Sequence, residues 1–164
     1  MMLEVEHDPA DGATVGRAGI RGFSPAALRR YRSLKRYSLS EVSTLSGINA
    51  TTISTWETGR ARPSPRPLKA VADALGVQVA DLAPVKEDDV RLADLRFQAG
   101  LNQEDLADAA GLPDGVLGAI ELGHREPNET QLRSIAEALN VDVDLVAAAW
   151  TRSRRARIIR LKSH

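Results

Sequence analysis

The chain of 164 residues contains no cysteine, which excludes disulfide staples and thiolate-bound metal. Its three histidines, His7, His124 and His164, stand too far apart in sequence to suggest a local metal motif, so neither metal nor cofactor is expected. No apolar run approaches the roughly 18 residues that a membrane helix needs, so no membrane partner is expected. The first 22 residues carry Glu4, Glu6, Asp8 and Asp11 in place of a basic region followed by an apolar run. That pattern predicts no signal peptide and a cytoplasmic protein. Also missing are a nucleophile paired with a base and a phosphate-binding loop. No catalytic residue is assigned, and an enzyme is the least favoured class.

Net charge is missing as well, with 22 Lys and Arg against 22 Asp and Glu. The balance hides a segregation. Residues 28–83 hold nine basic against four acidic side chains, residues 92–150 three against eleven, and residues 151–164 six against none. Basic segments of this kind point to nucleic acid.

What is present is a repeat. Gly47, Glu57, Gly59, Pro63, Leu68, Ala72, Leu75 and Val77 recur 64 positions later as Gly111, Glu121, Gly123, Pro127, Leu132, Ala136, Leu139 and Val141. The same register carries Leu28 onto Leu92 and Arg32 onto Arg96, so one small domain is expected twice. Each copy reads as short helices. Ser24-Pro25 opens the first, with Leu28, Tyr31 and Leu34 on its apolar face. Ser38 and Glu41 have the capping-box spacing for a second carrying Leu39, Val42 and Leu45, which ends at Gly47. Asn49 caps a third in which Ile53 and Trp56 face inward. Ser64-Pro65 opens a fourth with Leu68, Val71, Ala72 and Leu75 as its buried stripe, and Val79–Ala83 is a short fifth. In the second copy, helices are expected over 90–99, after Asn102, over 113–122 and after Asn128. A longer helix over 142–161 would pack through Leu145, Val146, Ala149 and Trp150.

The expected fold class is therefore all-α, two tandem five-helix domains with a basic C-terminal helix. Residues 1–22 are read as a flexible arm, 23–83 as the first domain, 84–89 as a linker, 90–150 as the second domain and 151–164 as a basic tail. A linker of that length argues for a fixed mutual orientation. In the arm, Arg17 and Arg21 are candidate minor-groove contacts.

The strings LNQEDLADAAGL, from Leu101 to Leu112, and INATTISTWETGRARPS, from Ile48 to Ser64, resemble the Cro and lambda-repressor type of helix-turn-helix, the XRE family. The resemblance spans about 28–83 and 92–146. It implies that the third helix of a copy enters the major groove while the second crosses the backbone. Carried over residue by residue, the base-reading positions fall on Ala50, Thr51, Thr52 and Thr55, with Asn49 at the helix start. Threonine hydroxyls bond donors or acceptors, and their methyls or Ala50 pack on thymine. Candidate phosphate contacts are Ser38, Arg36, Arg60 and Arg62. The resemblance also implies structural ion pairs between Arg32 and Glu57 and between Arg96 and Glu121, each 25 residues apart. One departure stands in the first copy, where Leu39 occupies the place of the family's frequent Gln, present as Gln103 in the second.

The corresponding reader of the second copy, Pro113-Asp114-Gly115-Val116-Leu117-Gly118-Ala119-Ile120, offers two glycines and an aspartate on its outer side, in an acidic domain. The second copy is therefore expected to scaffold, dimerise or dock a partner. The competing reading keeps Gln103 and Arg125 as DNA contacts. Arg152, Arg154, Arg155, Arg157 and Arg160 of the tail are further candidates. The function expected is a sequence-specific, double-stranded-DNA-binding transcriptional repressor of bacterial, phage or mobile-element type, with itself as a candidate partner. The alternative is an antitoxin or a protein that docks on the transcription machinery through its acidic second domain.

Overall fold

The computed structural model describes residues 20–164, which fold into α-helices joined by short turns. Ten α-helices follow in order: α1 Pro25–Lys35, α2 Leu39–Ser46, α3 Ala50–Glu57, α4 Pro65–Leu75, α5 Val79–Leu82, α6 Leu92–Gln98, α7 Gln103–Ala109, α8 Val116–Glu121, α9 Glu129–Leu139 and α10 Val143–Lys162. A single 3-10 turn, Glu87–Asp89, lies between α5 and α6. No helix among the described residues is long and apolar enough to cross a membrane.

Side-chain caps set the helix starts. The Ser24 hydroxyl accepts from the amide of Ala27 and a proline occupies the first turn of α1. Ser38 and Glu41 close a reciprocal capping box on α2, and Asn102 with Asp105 and Asn128 with Gln131 do the same on α7 and α9. The repeat is reproduced element by element. α4 and α9 both have 11 residues and start 64 positions apart, and the starts of α2 and α7 are separated by the same 64.

Two cores result. Leu28, Val42, Ile53, Trp56, Leu68, Val71, Leu75 and Leu82 fill the first, and Leu92, Leu106, Leu117, Ile120, Ile135, Leu139, Val146 and Trp150 the second. Burying each such aliphatic side chain stabilises the fold by about 1.5–3 kcal/mol. Three apolar residues expected on packing faces are exposed instead, namely Leu34, Leu45 and Leu145.

The copies depart from one another at three places. α6 starts at Leu92, not at residue 90, because Asp94 accepts from the amide of Arg91 and begins the helix there. α8 starts at Val116, not at 113, because Gly115 adopts φ +78° and breaks the chain direction before it. The fifth helix has four residues in copy one but 20 in copy two, where α10 runs unbroken through residues 150 and 151. The close passage of α10 over the end of α8 needs a residue without a side chain, since a Cβ on Gly123 would lie 2.8 Å from the Cα of Arg154.

The copies also touch. Phe97 of α6 packs against the first core, and Arg66 at the start of α4 lies 2.7 Å from the Asp105 carboxylate on α7. The residues just before α1 complete the seam. Ile20, expected in the arm, is buried in the first core, and its amide bonds the carbonyl of Pro63. The Arg21 guanidinium donates to Asp89 at 2.8 Å and grips Asp94 of α6 through Nε at 3.2 Å and a second, shorter bond. Arg21 is thus a structural clamp and not a groove-reading arm. Arg17 lies outside the described residues.

Candidate nucleic-acid interface

The third helix of copy one begins at Ala50 because the Asn49 carboxamide oxygen accepts from the amide of Thr51 at 2.8 Å. Asn49, expected among the base readers, therefore has its oxygen committed to the helix start, and only its amide group is left to face a ligand. Ile53 and Trp56 enter the core, which turns Thr51 and Thr52 to the outside, both exposed, with Ala50 and Thr55 half-buried beside them. The Thr55 hydroxyl donates to the carbonyl of Thr51 at 2.8 Å. Its remaining capacity is as an acceptor, together with its methyl group.

Asn49, Thr52 and Arg62 share one hollow with Gly47, Ile48, Trp56, Pro63, Ser64 and Pro67, of about 460 Å³. The turn before α3 and the loop after it thus converge on the start of that helix. Arg60, also exposed, follows the end of α3, and its amide bonds the carbonyl of Thr55. Arg36 ends α1 in a left-handed conformation at φ +57°, which leaves its side chain in solvent.

Ser38 departs from the expectation. Its hydroxyl accepts from the amide of Glu41 at 3.1 Å, and its own amide donates to the Glu41 carboxylate at 2.5 Å. A carboxylate thus already covers the start of α2, where a phosphate was expected to bond amides. Hydrogen bonds donated to the Glu41 carboxylate, first by the Ser38 amide and then by the Ser38 hydroxyl, hold that carboxyl below its usual range.

Behind the reading helix, Arg32 ties α1 to α3 with a fork. Its Nε and one terminal nitrogen donate to the two oxygens of Glu57 at 2.6 and 2.9 Å, and the third nitrogen donates to the carbonyl of Tyr37 at 2.9 Å. Copy two repeats every contact, with Arg96 on Glu121 at 2.6 and 3.1 Å and on the carbonyl of Leu101 at 3.0 Å. The second pair is drier, its side chains 3% and 1% exposed against 21% and 6% in the first. A further donor enters there, since Gln103 reaches Glu121 at 2.9 Å. Gln103 was a candidate backbone contact, yet its amide nitrogen is directed inward to a buried carboxylate.

Copy two presents a different outer face. Asp114 and Gly115 precede α8 and lie outside it, so the helix has six residues where α3 has eight. Its start has no side-chain cap, and Glu104 and Asp105 occupy the first turn of α7. The Arg125 side chain is exposed, while its carbonyl accepts from the Trp150 indole at 3.2 Å. Along α10, Arg152 donates to the carbonyl of Val90 at 3.1 Å, and Arg154 lies over the Trp150 ring at 5.6 Å, 3.8 Å from Glu126. These two are thus engaged within the protein. Arg155, Arg157 and Arg160 belong to the same helix, with Arg155 and Arg160 exposed.

Comparison with known proteins agrees with the repeat. A family described as Helix-turn-helix domain matches residues 26–85, and one described as Helix-turn-helix matches residues 92–146. No curated protein and no solved structure matches the chain. Two matches in tandem, over two copies of one capped five-helix plan, assign the chain to the helix-turn-helix proteins of XRE-like type, as a DNA-binding transcription regulator that carries the domain twice.

Proposed function

We propose that the protein is a sequence-specific transcriptional repressor that reads double-stranded DNA with α3 of copy one and uses copy two as a scaffold. Ala50, Thr51, Thr52 and Thr55 face base edges, while Arg60, Arg62 and Arg36 meet phosphates, with the Ser38 hydroxyl as a minor contact. The observation that carries the reading is the contrast between the two third helices. α3 is capped and exposes Thr51 and Thr52 beside the basic loop, whereas α8 is shorter, uncapped and set in a domain with an excess of acids. An acidic surface is repelled by the phosphate backbone, which argues against copy two entering a groove in the same way.

The test is a selection of bound duplexes from a random pool, followed by binding of the preferred site. Thr51→Ala with Thr52→Ala relaxes base preference. Arg60→Ala with Arg62→Ala weakens all sequences alike and reduces the salt slope by about 2, near one unit for each lost phosphate contact. Unchanged preference in the threonine variant overturns the assignment of α3. The acidic surface of copy two favours a second reading, in which that copy docks a basic protein partner. A chain lacking DNA affinity at low salt while capturing such a partner would replace the repressor reading.

A further inference from the structure

Between the link and α10 a small cleft of about 200 Å³ is lined by Arg91, Arg152, Arg155 and Arg160, with Asp88, Asp89, Ala156 and Ile159. We propose that this cleft binds a small phosphate-bearing anion. Four guanidinium groups line it against two carboxylates; of these, Asp89 is paired to Arg21 at 2.8 Å and lies 4.0 Å from Arg91, while Arg152 donates to the carbonyl of Val90. Guanidinium groups bond phosphate oxygens through charge-assisted pairs, which suits an anion of this class. Arg155 and Arg160 have no ion pair among the described residues, so their charges are available to the same ligand. Ala156 and Ile159 supply an apolar wall on the α10 side.

The position argues for a small anion over the duplex read by copy one. The cleft lies at the Leu92 end of α6, and α7 begins beyond the other end, about 10 Å away along a seven-residue helix. Copy one presents the same end to it, because Arg21, which leads into α1, reaches Asp89 and Asp94 there. α2 begins beyond the far end of α1, an 11-residue helix of about 16 Å. The cleft is thus remote from the elements that flank the reading helix. It joins the link and the residue before α6 to α10.

The experiment uses the full chain with pyrophosphate as probe, by calorimetric titration and thermal unfolding at low salt. The expected result is saturable binding and a raised unfolding midpoint. Arg155→Ala with Arg160→Ala binds pyrophosphate roughly tenfold more weakly or worse, as loss of charge-assisted bonds predicts. Two controls make the result specific. Arg157→Ala removes a charge from the same helix outside the cleft and retains pyrophosphate affinity, and the double variant keeps the affinity of the wild type for its selected duplex. No saturable binding overturns the proposal, as does an equal loss in Arg157→Ala. A double variant that loses duplex affinity while pyrophosphate has no effect makes the cleft a DNA backbone contact instead.

Discussion

At the scale of single residues, the two arginine forks differ in how dry they are, and this sets what their loss costs. Removing one partner of a buried pair leaves a charge without compensation, at about 3–5 kcal/mol. Arg96→Ala strands Glu121, which is 1% exposed and retains only Gln103 as a side-chain donor, so the full cost is expected. Arg32→Ala strands Glu57 in a wetter site and costs less, about 1–3 kcal/mol. Urea unfolding of both variants checks the order, and an equal or reversed ranking contradicts it. Base preference does not change in either variant, since neither arginine faces DNA in the proposed arrangement. A second residue-scale prediction concerns acid. The Glu41 carboxyl is held below its ordinary value of 4.5 by hydrogen bonds at the start of α2. Its contribution is therefore complete above the unfolded value and disappears as pH falls through the lowered folded value. Carboxyl titration by NMR would show a depressed Glu41 midpoint, which Ser38→Ala moves upward.

At the scale of elements, most of what determines helix starts is local and was visible in the sequence. Ser24-Pro25, Ser38 with Glu41, Asn102 with Asp105 and Asn128 with Gln131 act within one turn, so spacing alone locates them. The 64-residue register carried that reading from one copy to the other. It misled at α8, where alignment with α3 extended the helix back to residue 113 while Gly115 had turned the chain to φ +78°. The candidate site was legible in the same measure. The outward side of α3 followed from the inward Ile53 and Trp56, but nothing in one sequence announces that Gln103 turns inward to Glu121 or that Arg21 grips Asp94 across 73 positions. The left-handed Gly115 leads to a prediction. Gly115→Ala places a Cβ in a conformation that costs about 1–2 kcal/mol for an L-residue. The change destabilises copy two in urea by that amount and leaves affinity for DNA intact if only α3 reads bases. A large loss of DNA affinity at unchanged stability would show that the α8 face takes part.

At the scale of the whole molecule, the question is whether two copies with separate cores behave as one body. Phe97 sits on the first core from within the second copy, Arg66 meets Asp105, and Arg21 joins the entry of α1 to the entry of α6. Asp89 feels the same clamp, its carboxyl held below the usual range first by the hydrogen bond from Arg21. An apolar contact plus a partly buried charge network contributes about 2–4 kcal/mol of coupling, a substantial fraction of the roughly 5–15 kcal/mol that stabilises a native domain. The copies are therefore expected to unfold in one transition. The chain carries its own reporters, because its two tryptophans are divided, Trp56 in the first core and Trp150 in the second. Trp150→Phe leaves a signal from copy one and Trp56→Phe a signal from copy two. In these backgrounds the denaturant midpoints coincide for the intact seam. With Phe97→Ala and Arg21→Ala added they separate, each copy reporting its own stability. Midpoints that already differ with the seam intact would mean that the copies are tethered neighbours. Coincidence after the seam is cut would place the coupling elsewhere, in Arg66 and Asp105 or in the link itself. The outcome also bears on recognition. A coupled pair holds copy two at a fixed place beside the DNA that copy one reads, so cutting the seam changes the length of the protected footprint while the preferred base sequence stays the same.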